Sequence, residues 1–376
     1  VLIAALRAVR SPARHRDLET AAVTLALAQA DARQSALGLT TLTDNVDWAA
    51  VLEMAARHRV TPLVAWTLGA TAKLAPGWVQ QALQARVRED GVSGLAQEVE
   101  LGRLLQTLAA VAVDVLVLKG PVAAHLLYPH PDLRPFGDLD LYCRAADYGR
   151  LYRALIAAGY VPYAGAQTLR PIRSALEGYD ERGFSSAGQK VHVEIHCSLL
   201  EFGMADRHQE AFWRQAEPLH SGVVAMRVLA PTHQFMHLAA HLHRHSYERL
   251  IWLIDLDLFV HRYGAAIDWR VVMQTARDEG IGSVVRHVFW VLHAILQTPL
   301  PDLGPPTREE VLLAPVYRLL WPVAVVRRLT GVAHLRLARF DPATRHPLDV
   351  LPGLFLLGRR REKLRILRRY AGLGAI

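Results

Sequence analysis

Asp138 and Asp140 stand two apart in Gly137-Asp138-Leu139-Asp140-Leu141, where acid and apolar residue alternate. On a β-strand, side chains two apart share a face, so both carboxylates project together while Leu139 and Leu141 turn inward. Such a pair repels itself unless a cation sits between the acids. Hard divalent ions such as Mg²⁺ take oxygen ligands of this kind and bind phosphate at the same time. A third acid occurs in a second alternating run, Val191-His192-Val193-Glu194-Ile195-His196, with His192, Glu194 and His196 on one side. Any one of these acids reads equally well as a solvent-facing strand residue. The pair and the second strand together favour a metal.

The elements that must position these acids are legible around them. Val115 to Leu118 is a short apolar β-prone run ending at Lys119-Gly120. Gly120 is expected to let the backbone turn sharply, and Pro121 suits the first turn of a following helix. Lys119 and Arg134 are the cations near the acids: Arg forks onto phosphate oxygens, and Lys acts as a point charge. Arg134 lies four residues before Asp138 in a proline-punctuated loop, within reach of the acids. Lys119 either neutralises phosphate or caps the strand end. His196, on the acid side, supports a metal ligand, contacts an acceptor, or packs as a satisfied core histidine. Neither a G-x-x-x-x-G-K-[ST] phosphate loop nor a G-x-G-x-x-G dinucleotide turn occurs, which disfavours P-loop kinases and dinucleotide enzymes.

Leu118-Lys119-Gly120, Tyr128, Arg134, Gly137-Asp138-Leu139-Asp140 and Glu194-Ile195-His196 together resemble the nucleotidyltransferase superfamily with a polymerase-β-like core. More narrowly, they look like its bacterial group with an LKG turn and an R-x-x-x-D-x-D strand. The resemblance extends from about Trp48 to Trp269, with its specific motifs between Lys119 and His196. It implies that Asp138, Asp140 and Glu194 are the catalytic, metal-binding acids. It also implies that Lys119, Gly120, Arg134, Gly137 and His196 surround the nucleotide and its phosphates. The implied reaction moves a nucleoside monophosphate from an NTP, ATP by default, to a hydroxyl acceptor and releases pyrophosphate. Mg²⁺ is the implied cofactor and Mn²⁺ its substitute, as two ions about 3.5–4 Å apart. Pro121 departs from the Ser or Gly usual after the turn glycine, and the Gly120-to-Asp138 gap is longer than the superfamily norm. The alternative is therefore a catalytically inactive nucleotide- or RNA-binding protein on the same fold.

Two other patterns invite chemistry. Ile254-Asp255-Leu256-Asp257 repeats the acid spacing, but Trp252, Asp255 and Phe259 follow a helix, on which residues two apart diverge. A structural role is expected for Asp255. His233, His237, His241 and His245 recur every four residues along one helix face. A zinc hydrolase built there would need a glutamate after the first histidine of a pair, which Met236-His237-Leu238 lacks. Cleft lining or packing is the expected use of these histidines.

The rest of the chain frames this region. Its 376 residues, 52% apolar and 21% charged, allow two or three domains with a sizeable core. The expected division is an N-terminal helical region over 1–110, a core over 111–228 and a C-terminal helical region over 229–376. The fold class is α+β, a small mixed β-sheet core flanked by helices. Helices are expected over 21–37, from Trp48, and from Pro76 to Leu108 with a break or kink near Gly91 and Gly94. Others are expected over 148–158, 232–245, 249–263, from Trp269, 312–329 and 351–369. A net charge of +8 with a pI near 9.7 favours polyanionic partners. The basic run from Arg359 to Arg369 is a solvated helix face or an RNA or acidic-lipid contact. Cys143 and Cys197, the two cysteines, fit free thiols in a reducing compartment. With no transmembrane segment or signal peptide evident, the expected location is cytoplasmic.

Overall fold

The computed structural model describes residues 46–70, 75–163, 181–186, 188, 191–200, 207–222, 224–245 and 247–315. The helices expected at 21–37 and 351–369, most of the one at 312–329, and the Arg359–Arg369 run lie outside them. Helices α1 (Trp48–Arg57), α2 (Thr61–Ala70) and α3 (Gly77–Ala110) lead into strand β1 (Val115–Leu118) and helix α4 (Gly120–Leu127). Strand β2 (Asp138–Cys143), helix α5 (Tyr148–Ala157) and strands β3 (Val161–Pro162), β4 (Glu181–Ser185) and β5 (His192–His196) follow. Helix α6 (Gln209–Arg214), strands β6 (Glu217–His220) and β7 (Ala225–Val228), and helix α7 (Pro231–Arg244) come next. Helices α8 (Leu250–Tyr263), α9 (Trp269–Asp278) and α10 (Gly282–Leu296) complete the order. The protein is thus α+β.

Residues 90–126 and 130–237 form one compact unit, and it holds the whole sheet. Seven strands run in the order β3-β4-β5-β2-β1-β7-β6. β1 and β2 are antiparallel, whereas β2 with β5 and β1 with β7 are parallel, so the sheet is mixed. β4 and β5 form a hairpin, and β3 lies on the edge of the sheet. The alternation read in the sequence sorts the two faces. Val115, Val117, Leu139, Leu141, Val193 and Ile195 pack with Leu101, Leu104 and Leu108 of α3 and Leu151 and Leu155 of α5. Full burial of each such side chain contributes roughly 1.5–3 kcal/mol. Cys143 and Cys197, both buried and neither in a disulfide, belong to this apolar layer. Burial pushes the Cys143 thiol well up from its ordinary value.

Two expectations need correction. Gly91 and Gly94 do not break the helix that contains them, because α3 runs unbroken for 34 residues. Nor does Gly120 supply the turn after β1: the left-handed residue is Lys119, at φ 50°. Gly120 is needed for another reason, since a Cβ there would lie 2.6 Å from the Cβ of Phe136. α6 and β6 had no sequence signal strong enough to anticipate. β6, Glu-Pro-Leu-His, is a polar edge strand and carries a proline that only an edge tolerates.

The second compact unit takes in the described residues before 90, residues 127–129 and those from 238 onward. Asp47 caps α1 by accepting from Ala50 N, and Asp268 caps α9 by accepting from Arg270 N and Val271 N. Asp255 and Asp257 lie on α8, both buried. Tyr128 Oη donates to Asp255 at 2.7 Å, and Thr298 Oγ1 to Asp257 at 2.5 Å. The second acid pair therefore diverges on a helix and serves packing.

Candidate active site

The turn after β1 starts the site. A lysine in left-handed backbone costs roughly 1–2 kcal/mol, which its surroundings must hold in place. Its carbonyl accepts from Ala123 N at 2.7 Å, closing the first turn of α4. Its side chain is buried, and Nζ donates to Asp140 Oδ1 at 3.0 Å. The same oxygen accepts from His196 Nε2 at 2.7 Å. Both bonds converge on one carboxylate that is 2% exposed.

Strand register explains the convergence. β2 and β5 run parallel, with Asp138 opposite His192, Asp140 opposite Glu194 and Tyr142 opposite His196. Neighbouring strands lie about 4.8 Å apart, so side chains paired across them on one face meet. Ligand atoms of Asp140, Glu194 and His196 all lie within 4.8 Å of one another. Among the described residues, this is where three metal-capable side chains gather. Asp138, half-buried at the start of β2, shares the face but stands outside that trio.

Electrostatics follow from burial and charge. Burial alone would push the Asp140 carboxyl up. The Lys119 charge and the His196 hydrogen bond more than offset it and hold the group far below the usual carboxylate range. Asp140 is therefore ionised, with the Lys119 ammonium beside it.

The other expected residues are placed as follows. Arg134 is buried, with Nη1 3.5 Å from the Pro135 carbonyl. Gly137 is half-buried, next to Asp138. Gly120 packs under Phe136, whose carbonyl accepts from Gln97 Nε2 at 2.9 Å, so α3 and α4 together locate the loop that delivers β2. His237 Nδ1 donates to Leu199 O at 2.7 Å, and its ring meets His196 edge-on at 6.4 Å. His233 packs against Phe212 at 4.7 Å. His241 contacts His245 and Trp252 through rings 4.5 and 4.8 Å apart.

Sequence reasoning missed Tyr163. Its ring lies over Gly183, where a Cβ would come within 2.3 Å, and its hydroxyl pairs with His192 Nδ1. Its ring centroid lies 5.9 Å from that of His192, and burial and then the Glu194 charge raise its pKa. A tyrosine at the end of a two-residue edge strand carries no signal of its own. Only the pairing of β3 with β4 reveals it.

Residues 44–297 match a family model described as uncharacterised nucleotidyltransferase. The chain belongs to that family. No curated protein and no solved structure matches it. In a nucleotidyltransferase, two carboxylates and an imidazole converging beside a strand–turn–helix unit are a donor set that fits a divalent cation. Among the described residues, no helix is long and apolar enough to cross a membrane.

Proposed function

We propose that this protein transfers a nucleoside monophosphate from an NTP to a hydroxyl acceptor and releases pyrophosphate, using Mg²⁺ or Mn²⁺. The observation that carries the reading is the meeting of Asp140, Glu194 and His196 on the sheet face next to the Lys119-Gly120 turn, in a chain of this family. Asp140 and Glu194, with Asp138 beside them, would hold the ion. When bound, a divalent ion polarises phosphoryl oxygens and lowers the pKa of a coordinated hydroxyl.

The chain's own groups do the rest. The N-terminus of α4 presents backbone amides toward a phosphate, although Pro121 contributes none. Lys119 and Arg134 supply the positive charge that the leaving pyrophosphate needs. Glu194, the half-buried acid of the trio, takes the proton of the attacking hydroxyl or holds the ion. Two cysteines that form no disulfide support a reducing, cytoplasmic setting for the reaction.

The test supplies each α-labelled NTP in turn with Mg²⁺ or Mn²⁺ and a cell extract as the acceptor source. Label moves to an acceptor, pyrophosphate appears, and Asp138→Asn or Asp140→Asn abolishes both. Nucleotide binding without pyrophosphate release from any NTP would favour the inactive binding protein instead.

A further inference from the structure

We infer that His196 is a direct nitrogen ligand of the bound ion, so that the site selects a first-row transition ion such as Mn²⁺ over Mg²⁺. This rests on the reading of the trio as a metal centre. The resemblance to three-acid centres would leave His196 outside the coordination sphere, but the geometry points elsewhere. Register puts His196 on the same face as Asp140 and Glu194, two residues beyond Glu194, with its ring 1% exposed. Its Nε2 lies 2.7 Å from Asp140 Oδ1, and one ligand atom from each of Asp140, Glu194 and His196 lies within 4.8 Å of the other two.

Adjacent ligands on an ion with bonds of about 2.1 Å stand about 3 Å apart, so this edge already has nearly the length that coordination needs. The ring is also pinned. It is buried, meets His237 edge-on, and His237 is held by the Leu199 carbonyl. The Nε2 atom is thus fixed toward the acids.

Ligand chemistry then sets the preference. Mg²⁺ favours oxygen and keeps its waters, whereas imidazole suits first-row transition ions. A set of two carboxylates and one imidazole sits between those extremes. Mn²⁺ accepts both donor types and the geometry Mg²⁺ uses.

Affinity alone does not separate this from a His196 that merely orients Asp140, because losing such a partner also weakens metal binding roughly ten- to a hundredfold. The decisive readout is the nitrogen itself. The full chain is loaded with one equivalent of Mn²⁺ and examined by pulsed electron paramagnetic resonance, with natural-abundance and [¹⁵N]histidine-labelled protein. A ¹⁴N coupling that becomes ¹⁵N on labelling and disappears in His196→Gln is expected. In that variant Mn²⁺ affinity falls roughly ten- to a hundredfold while Mg²⁺ affinity changes far less.

Bound Mn²⁺ without a histidine coupling, a coupling that survives in His196→Gln, or no Mn²⁺ binding at millimolar concentration would each overturn the inference. Should His196→Gln fail to fold, a wild-type spectrum without the coupling still overturns the inference, and so does loss of the coupling in His192→Gln, the other histidine of this strand face. Pyrophosphate release without the coupling removes this inference and leaves the transferase reading standing. The coupling without NTP turnover does the reverse.

Discussion

Lys119 and Asp140 form an ion pair of buried groups, 3.0 Å apart, with His196 on the same carboxylate oxygen. Removing one partner of a buried pair costs about 3–5 kcal/mol, because the charge left behind keeps its desolvation cost. Asp140→Asn deprives Lys119 of its carboxylate and is expected to lower the unfolding free energy by about 3 kcal/mol. Lys119→Met removes the strongest charge holding Asp140 ionised and is expected to destabilise as well. The double variant should lose clearly less than the sum of the two, since it leaves neither charge stranded. Urea unfolding of the four proteins measures this, and strict additivity would mean that the pair is not coupled. Gly120 gives a second test at this scale. Gly120→Ala forces a methyl to within 2.6 Å of Phe136 Cβ, a clash expected to cost about 1–3 kcal/mol by the same measurement.

At the scale of elements, α3 departs most from its sequence reading. Two glycines three apart suggested a break, yet the helix passes through both without one. Neither glycine has a neighbour within 4 Å of where a Cβ would be, so neither is there for close approach. Glycine inside a helix costs roughly 0.5–1 kcal/mol relative to alanine. Gly91→Ala and Gly94→Ala should each therefore raise the thermal midpoint, and together raise it additively. A drop in either would show that the helix needs to bend there.

The same scale explains what the sequence could disclose. β1, β2 and β5 were legible because strict alternation over Asp138–Leu141 and Val191–His196 leaves one register that buries the apolar set. That register also brought Glu194 beside Asp140. What remained hidden depends on long-range pairing. The left-handed lysine, the Phe136 contact that requires Gly120, and Tyr163 over Gly183 arise where distant segments meet. No local pattern encodes them.

For the whole molecule, acid is the informative perturbation. His233 and His243 are buried, one in each compact unit. Burial, with His208 nearby, lowers the His233 pKa to about 4, and burial lowers that of His243 to about 3. Both folded-state values lie below the ordinary 6.5. Below pH 6.5 the unfolded chain therefore takes up protons that the folded chain refuses. The stability these histidines contribute is complete above that pH and is lost as pH falls toward the folded values. Each adds a slope of up to about 1.4 kcal/mol per pH unit in that window. Unfolding midpoints should fall between pH 6.5 and 4.5, before most carboxylates begin to protonate. His243 Nδ1 also pairs with Tyr247 Oη at 2.9 Å, so His243→Phe gives up a hydrogen bond and starts from lower stability at pH 7.5. Its decline with acid should nevertheless be shallower by one proton than that of the wild type. An equally steep decline would mean that His243 is protonated in the folded protein.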